Sequence, residues 1–249
     1  MNEAMTPYGL ALLDYFEGDT SANVVVQRED GVRGDLPIDF FFRTPAGFSQ
    51  LEQAALALCR GEVLDVGAGA GCHSLALQER GIKVWAIDVS PQGVVIMSKR
   101  GVKNVQRADV FRFRAGPFDT LFLIAHGIGI AANLAGLDRL LRHAHHLVKP
   151  DGQILCDSLD VRGTTDPVHL AYHEYNRKTG RYFGEIRMQL EYKGQLGPLF
   201  SWLHVDAGTL NEHAQKAGWS CRIVRREENG DYLAQLTPAK KIEPGARPS

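Results

Sequence analysis

The stretch that decides the fold is Glu62-Val63-Leu64-Asp65-Val66-Gly67-Ala68-Gly69-Ala70-Gly71-Cys72. Its apolar start predicts a buried strand that ends at a carboxylate, and its alternating glycines predict a loop leading into a helix. Glycine lacks a Cβ and tolerates positive φ, so the backbone of this loop can come close to a ligand. The unpaired N–H groups at the start of the helix point at the same place. The stretch therefore predicts a site for a polar, nucleotide-like cofactor.

The spacing of the glycines separates the cofactor classes. The dinucleotide fingerprint G-x-G-x-x-G reserves for glycine or alanine the position that Cys72 occupies here. A Walker loop needs Gly-Lys followed by Ser or Thr, and the first lysine after this loop is Lys83. The acid at Asp65 would repel a pyrophosphate and suits a ligand that carries positive charge. The loop therefore favours a cationic ligand over a phosphate.

Two acids further along the chain extend the predicted site. The largely apolar segment 82–89 predicts the next strand, and Asp88 near its end can accept hydrogen bonds from a ribose diol. Segment 105–109 predicts another short strand that ends at Asp109, a carboxylate suited to an adenine amino group. Because nicotinamide-binding folds also place an acid where Asp88 stands, that residue indicates adenosine without naming the cofactor.

In this order and spacing, the motifs resemble those of the class I S-adenosylmethionine-dependent methyltransferases. The resemblance is close over residues 50–158, with 118–125 similar to the fourth strand of the family and 147–155 similar to its turn into strand five. Asp151 stands where the family usually has glycine. The resemblance implies S-adenosyl-L-methionine as cofactor and S-adenosyl-L-homocysteine as product. The cofactor-binding residues that it implies are Asp65, Gly67, Ala68, Gly69 and Gly71 at the glycine loop, Asp88 and Val89 after strand two, and Ala108, Asp109 and Val110 after strand three.

The alternation of strands and helices after Gly71 predicts an α/β fold with a doubly wound, mostly parallel sheet. The resemblance implies a Rossmann-like methyltransferase fold of seven strands, the last of them antiparallel. We expect residues 1–60 to form an N-terminal helical cap, whose second helix begins near Thr44-Pro45 or at a capping box of Ser49 and Glu52. Residues 61–237 are expected to form the cofactor-binding domain, whose final antiparallel strands, 221–225 and 232–236, are joined at Asn229-Gly230. The tail, 238–249, is rich in Pro, Lys and Gly and is expected to be disordered.

The segment 157–205 is an insertion that we expect to build the substrate pocket. Segments 185–192 and 200–205 predict an antiparallel hairpin within it. Tyr182 and Trp202 are its candidate pocket residues, although many of its aromatic side chains would serve as core.

Two further residues are candidates for contact with the acceptor. His126 follows strand four, at the carboxyl edge where open α/β sheets place ligands, and is the candidate catalytic residue. The alternative is that His126 only hydrogen-bonds nearby backbone at the end of the strand. The aromatic run 40–42 and Arg43 could form a lid over the cofactor, with Arg43 contacting a carboxylate of the cofactor or substrate. The alternative is that the run is packed core. No metal site is expected, because the four cysteines are widely spaced and the histidines of 143–146 do not share one helix face.

The bulk composition is typical of an ordinary soluble globular protein. Of the 249 residues, 44% are hydrophobic and 23% charged, and the net charge is −1. Nucleic-acid binding usually needs a basic patch and a high pI, so we expect no nucleic-acid partner. The N-terminus lacks a basic region and the most apolar stretch, 121–132, is short and broken by His126. We therefore expect no membrane partner and a cytoplasmic location.

These observations favour a methyltransferase that acts on a small molecule by in-line displacement. The Asn/Asp-Pro-Pro-Tyr motif of enzymes that methylate amino groups of bases and glutamine is absent after strand four. Two alternatives stay open at this point, namely a non-catalytic S-adenosylmethionine-binding protein and a nicotinamide-dependent oxidoreductase. The sequence predicts neither the methyl acceptor nor the oligomeric state.

Overall fold

The glycine loop follows an inner strand of a seven-stranded sheet in a computed structural model, which describes residues 3–239. Helices cover the faces of this sheet, and a second, smaller sheet lies beside it. In chain order the elements are α1 (Thr6–Phe16), β1 (Asn23–Arg28), β2 (Arg33–Pro37), α2 (Gln50–Leu58), β3 (Glu62–Val66), α3 (Cys72–Glu79), β4 (Lys83–Asp88), α4 (Pro91–Lys99), β5 (Asn104–Arg107), β6 (Phe118–Leu123), α5 (Leu134–Leu147), β7 (Val148–Leu159), α6 (Pro167–Lys178), β8 (Glu185–Tyr192), β9 (Gln195–Leu196), β10 (Phe200–Leu203), α7 (Ala207–Lys216), β11 (Trp219–Arg226) and β12 (Asp231–Pro238).

The large sheet has the strand order β11-β12-β7-β6-β3-β4-β5. The five strands from β7 to β5 run parallel, β12 runs antiparallel to β7, and β11 pairs antiparallel with β12. The order reverses at β3, so the carboxyl ends of β3 and β6 flank the crevice where such sheets bind ligands. This arrangement confirms the predicted Rossmann-like methyltransferase fold, including its antiparallel end.

Local sequence signals account for the helices that position the site. The N-cap residue Ser49 accepts a hydrogen bond from the backbone N–H of Glu52, whose carboxylate accepts from the N–H of Ser49, so the predicted capping box of α2 is confirmed. Ser90 caps α4, and Pro91 takes its first helical position. In α5 the leucines and alanine at helical spacing are buried against the sheet, namely Leu137, Leu140, Leu141 and Ala144.

The N-terminal segment differs from the purely helical cap that we expected. Besides α1 and α2 it contains the hairpin β1–β2, with Asn23 opposite Pro37. The three consecutive valines of β1 have high strand propensity. The sequence of β1 does not alternate between apolar and polar residues, so its pattern did not predict a strand.

The second sheet joins this N-terminal hairpin to the insertion. Its order is β10-β8-β1-β2, with the two-residue β9 pairing with β8. The antiparallel pairing of β8 with β10 confirms the hairpin predicted for the insertion. Because β1 pairs with β8, the segment assigned to the cap and the segment assigned to the substrate pocket form one sheet.

The described chain ends just beyond the last strand. Pro238 is the final residue of β12, and the N–H of Ala239 donates to the carbonyl of Gly218 at 2.9 Å, so these two residues of the predicted disordered tail are held in the fold. The remainder of that prediction, 240–249, lies outside the described residues. Between residues 3 and 239, no helix combines the length and apolarity needed to cross a membrane.

Candidate functional site

The glycine loop between β3 and α3 adopts the backbone that its sequence predicts. Gly67, Gly69 and Gly71 have φ values of +70°, +57° and +82°, in the left-handed region that favours glycine. A methyl group at Gly67 would lie 3.1 Å from Ile130, and one at Gly71 would lie 2.9 Å from Met97. The loop therefore has neither the dihedral angles nor the space for other residues.

Asp88 holds the glycine loop from the neighbouring strand. Its Oδ2 accepts a hydrogen bond from the N–H of Gly69 at 2.9 Å, and its Oδ1 accepts from the N–H of Ser90 at 2.7 Å. The side chain is 7% exposed, and burial raises the pKa of its carboxyl. Each carboxylate oxygen has a second lone pair, so the group can still accept hydrogen bonds from a ribose diol.

Asp65 lies beneath the loop rather than above it. Its Oδ2 accepts a hydrogen bond from Oγ of Ser74 on α3 at 2.6 Å, and the side chain is 3% exposed. Burial raises the pKa of the Asp65 carboxyl. In this position Asp65 joins the end of β3 to α3 and so supports the loop that contains Ala68.

The loop after β5 brings the other predicted cofactor residues beside Asp88 and the adjacent Val89. The N–H of Ala108 donates to the carbonyl of Asp88 at 2.9 Å, and Oδ1 of Asp109 accepts from the N–H of Phe111 at 2.9 Å. The Val110 side chain is 3% exposed and packs into the core, so only its backbone is available to a ligand. An open depression of about 410 Å³ adjoins this loop and includes Ala108 and Asp109 in its lining.

Two aromatic residues of the N-terminal segment lie over the glycine loop, namely Phe41, from the run considered as a lid, and Tyr8, which the sequence did not single out for the cofactor. A methyl group at Gly69 would lie 2.7 Å from Oη of Tyr8 and 3.7 Å from the ring of Phe41. The two rings pack edge to face, with centroids 4.9 Å apart. Burial raises the pKa of the Tyr8 phenol, and the charge of Asp88 raises it further. The aromatic residues of the segment were the only available indication, because no local sequence pattern predicts that α1 packs on α4.

Arg43 is engaged within the protein. Its guanidinium forms two hydrogen bonds with Glu52, at 2.7 and 3.1 Å, and also donates to the carbonyls of Phe40 and Gly47. Glu52 is 4% exposed and also contacts Nε2 of His73 at 2.8 Å. The three side chains tie the aromatic run 40–42 to α3, so the structure gives Arg43 a packing role in place of a free guanidinium.

Tyr182 and Trp202 have different surroundings. Oη of Tyr182 donates to Oδ2 of Asp206 at 2.7 Å and accepts from the N–H of Asp206 at 3.0 Å, so it fixes the N-cap of α7. The indole of Trp202 packs over Gly129, where a Cβ would collide with it. Trp202 therefore covers the loop after β6, whereas the Tyr182 hydroxyl points away toward α7.

His126 lies in that loop, in left-handed conformation with φ of +58°. Its Nε2 is 2.9 Å from Oδ1 of Asp231 on β12, and its ring is edge-on to His204 at 5.3 Å. Burial would lower the pKa of His126, but the hydrogen bond to Asp231 and the nearby charge of Asp157 raise it above its ordinary value. The loop continues to Ile130, which contacts Gly67 of the cofactor loop, so His126 borders the predicted methionine end of the site.

The residues present fit S-adenosylmethionine. The glycine loop offers close backbone approach, Asp88 keeps lone pairs free at the ribose position, and Asp109 is partly exposed where adenine is expected. Fold and site together define a Rossmann-like, S-adenosylmethionine-dependent methyltransferase.

Comparison with known proteins agrees with this class. Residues 43–222 match the sequence model of a family described as a methyltransferase domain. An S-adenosylmethionine-dependent methyltransferase from Bacteroides fragilis, solved in complex with S-adenosyl-L-homocysteine, is 35% identical with a TM-score of 0.84. The match covers 95% of this chain and 96% of that one. The chain therefore belongs to this methyltransferase family, its cofactor is S-adenosyl-L-methionine, and the nicotinamide alternative is not supported.

More distant structures share the fold alone. The CcbJ methyltransferase from Streptomyces caelestis is 15% identical with a TM-score of 0.60, over 81% of this chain and 95% of that one. The sugar N-methyltransferase KedS8 from Streptoalloteichus sp. ATCC 53650 is 16% identical with a TM-score of 0.57, over 81% and 92%.

Proposed function

We propose that this methyltransferase transfers its methyl group to a small-molecule acceptor, which binds between His126 and the second sheet. The observation that carries the proposal is the cover over the loop after β6, where Trp202 on β10 packs against Gly129. An acceptor site beside a loop covered in this way suits a small molecule better than a polymer.

The inner face of the second sheet is suited to an acceptor with apolar surface. Phe200 pairs with Met188 and Trp202 with Ile186, and paired residues of antiparallel strands point to the same face. All four side chains are partly buried. They form the acceptor wall in this proposal, with Trp202 nearest to the loop of His126.

When bound, S-adenosylmethionine supplies a methyl group on a positively charged sulfur, and the electron pair of the broken C–S bond stays on that sulfur. The protein has to align the acceptor with that methyl group and exclude water. In this proposal His126 takes the proton that the acceptor loses, because it is a partly exposed imidazole in the same loop as Ile130, at the carboxyl edge of the sheet.

The similar structures support a small acceptor but do not identify it. KedS8 is named as a sugar N-methyltransferase, so the same fold serves a small-molecule acceptor in that protein. The net charge of −1 also disfavours a nucleic acid. The cytoplasmic location and the division into a cap of residues 1–60 and a cofactor domain stay predictions.

The test is methyl transfer from isotopically labelled S-adenosylmethionine to a cell extract separated by size. We expect label in the small-molecule fraction, and we expect Trp202→Ala to reduce it while affinity for S-adenosylhomocysteine is kept. Label in protein or nucleic acid would contradict the proposal. Tight cofactor binding without transfer to any fraction would favour the non-catalytic alternative.

A further inference from the structure

Four ionisable side chains meet at the carboxyl edge of the large sheet. His126 follows β6, Asp157 lies near the end of β7, Asp231 begins β12, and His204 follows β10. Only His126 was a candidate from sequence, because the other three come from later, separate elements. They are the charged and titratable groups that face His126.

Asp231 is held in place by the turn that precedes β12. Its Oδ2 accepts a hydrogen bond from Nδ2 of Asn229 at 2.8 Å, and its backbone N–H donates to Oδ1 of Asn229 at 3.1 Å. The other oxygen, Oδ1, faces Nε2 of His126. The carboxylate therefore reaches the imidazole from a rigid turn, and it fixes the orientation of the ring.

The backbone of His126 is held in an unusual conformation. Ala125 and His126 are consecutive non-glycine residues with φ of +64° and +58°. Such residues persist where their surroundings enforce them, and they concentrate at functional sites. The N–H groups of His126 and Gly127 face the carboxylate of Asp157, which is 4% exposed. The buried Asp157 carboxylate thus lies against the backbone of the loop, while Asp231 holds the ring.

The second ring nitrogen of His126, Nδ1, is free of partners in the described part of the chain. With Nε2 turned to Asp231, Nδ1 of His126 makes no hydrogen bond to any residue between 3 and 239. Nδ1 of His204, edge-on beside it, is buried and likewise has no partner in the described part of the chain. Burial and the neighbouring His126 lower the pKa of His204 to about 3, so that ring stays neutral. Nδ1 of His126, on a side chain that is 35% exposed, is therefore available to a hydrogen-bonding group of the acceptor, with the neutral ring of His204 beside it.

We propose that Asp231 is the positioning residue of a His126–Asp231 pair whose proton-accepting atom is Nδ1 of His126, and that the acceptor group is a hydroxyl. This inference rests on the proposed function. A neutral amine attacks through its lone pair without first losing a proton, whereas a hydroxyl of high pKa is a weak nucleophile until its proton is removed. An oriented base is therefore needed by an oxygen acceptor more than by an amine.

The proton balance at the site is complete. The acceptor O–H proton moves to Nδ1 as the oxygen takes the methyl group, and His126 becomes an imidazolium whose charge Asp231 offsets. The His126 side chain is 35% exposed, so the proton can pass to solvent afterwards.

The pairing is tested by ¹⁵N NMR titration of the His126 imidazole in the full-length protein with S-adenosylhomocysteine bound. We expect a pKa above the ordinary value, with Nε2 protonated in the neutral ring. In Asp231→Asn the pKa should fall by about one unit. Asp160→Asn is the matched control, because Asp160 lies near the same turn but pairs with Arg162, and it should leave the His126 pKa unchanged. An unchanged pKa in Asp231→Asn would overturn the pairing.

The acceptor class is tested on the product labelled with a ¹³C methyl group. A methyl carbon bonded to oxygen is expected, and one bonded to nitrogen, carbon or sulfur would overturn the hydroxyl assignment. Asp231→Asn should lower kcat by roughly 10- to 100-fold and shift the acidic limb of the pH profile of kcat. Affinity for S-adenosylhomocysteine should be unchanged. If no acceptor is methylated at all, the proposed function fails together with the hydroxyl assignment, while the NMR titration still decides the pairing.

Discussion

The N–H of Gly69 donates to Oδ2 of Asp88 at 2.9 Å, so the carboxylate predicted to bind the ribose also fixes the loop predicted to bind the methionine end. Both halves of the cofactor site thus depend on one buried side chain. Its second oxygen is used at the start of α4, by the N–H of Ser90.

Replacing Asp88 is therefore expected to weaken the whole cofactor site. Asp88→Asn keeps the shape but loses the negative charge, and hydrogen bonds to a charged group contribute about 1.5–3 kcal/mol. We expect affinity for S-adenosylhomocysteine to fall roughly 10- to 100-fold by calorimetry. Asp138→Asn, which removes an acid of α5 that is paired with His213 on α7, serves as control. Equal affinities for the wild type and Asp88→Asn would show that the ribose is bound elsewhere.

Gly69 and Gly81 form a matched pair for the glycine loop. Both have positive φ, +57° and +78°, so alanine at either position is expected to cost about 1–2 kcal/mol of unfolding free energy. Only at Gly69 does the added methyl group meet Tyr8, whereas nothing lies within 4 Å of it at Gly81. We expect Gly69→Ala to abolish S-adenosylhomocysteine binding and Gly81→Ala to retain it, measured by calorimetry alongside urea unfolding. Equal binding by both variants would exclude a special role for the loop.

The Arg43–Glu52–His73 group should make stability depend on pH. Burial opposes ionisation of Glu52, but hydrogen bonds with His73, the Ser49 N–H and Arg43 lower its pKa from 4.5 to about 2. Burial would likewise lower the pKa of His73, but contacts with Cys72 and Glu52 raise it from 6.5 to about 10. The Glu52 contribution is present above pH 4.5 and is lost toward pH 2, and that of His73 is complete below pH 6.5 and is lost toward pH 10.

Glu52→Gln tests this dependence. It leaves two buried cations without their carboxylate, and breaking such a pair costs about 3–5 kcal/mol of unfolding free energy. Urea unfolding at pH 5.5 and pH 9 should show a larger cost at the lower pH, where His73 is charged in both folded and unfolded states of the wild type. Glu212→Gln, which removes an exposed pair with Lys216, should change stability little at either pH. A cost that is the same at both pH values would rule out a charged His73.

Tyr182→Phe separates packing from substrate contact at the insertion. The hydroxyl is engaged with Asp206 at the start of α7, so its loss should cost about 1 kcal/mol of unfolding free energy. We expect methyl transfer to the extract to stay within twofold of wild type. A large loss of transfer with unchanged stability would return Tyr182 to the acceptor site.

The parts of the fold that follow from local signals were predictable from sequence. The strand Glu62–Val66, the helix capped by Ser49 and the hairpin β11–β12 each rest on residues a few positions apart. The positive φ of the three loop glycines was likewise predictable, because glycine is the residue type that tolerates it.

The parts of the site that depend on long-range packing were not predictable. Asp231 lies 105 residues from His126, and Tyr8 lies 61 residues from Gly69. Arg43 is a further example, because the sequence identified its partner Glu52 only as a residue of the helix cap. A local pattern identifies a side chain with chemistry to offer, but its partner depends on tertiary packing.

The shared sheet of the N-terminal segment and the insertion bears on how the enzyme handles repeated methylation. Tyr8 covers the glycine loop, and α1 packs on the sheet in which β1 pairs with β8. Exchange of spent product for fresh cofactor is then expected to require movement of the same unit that forms the proposed acceptor wall. An acceptor with two methylation positions would leave between transfers, so we expect a distributive enzyme that releases singly methylated product, and not a processive one.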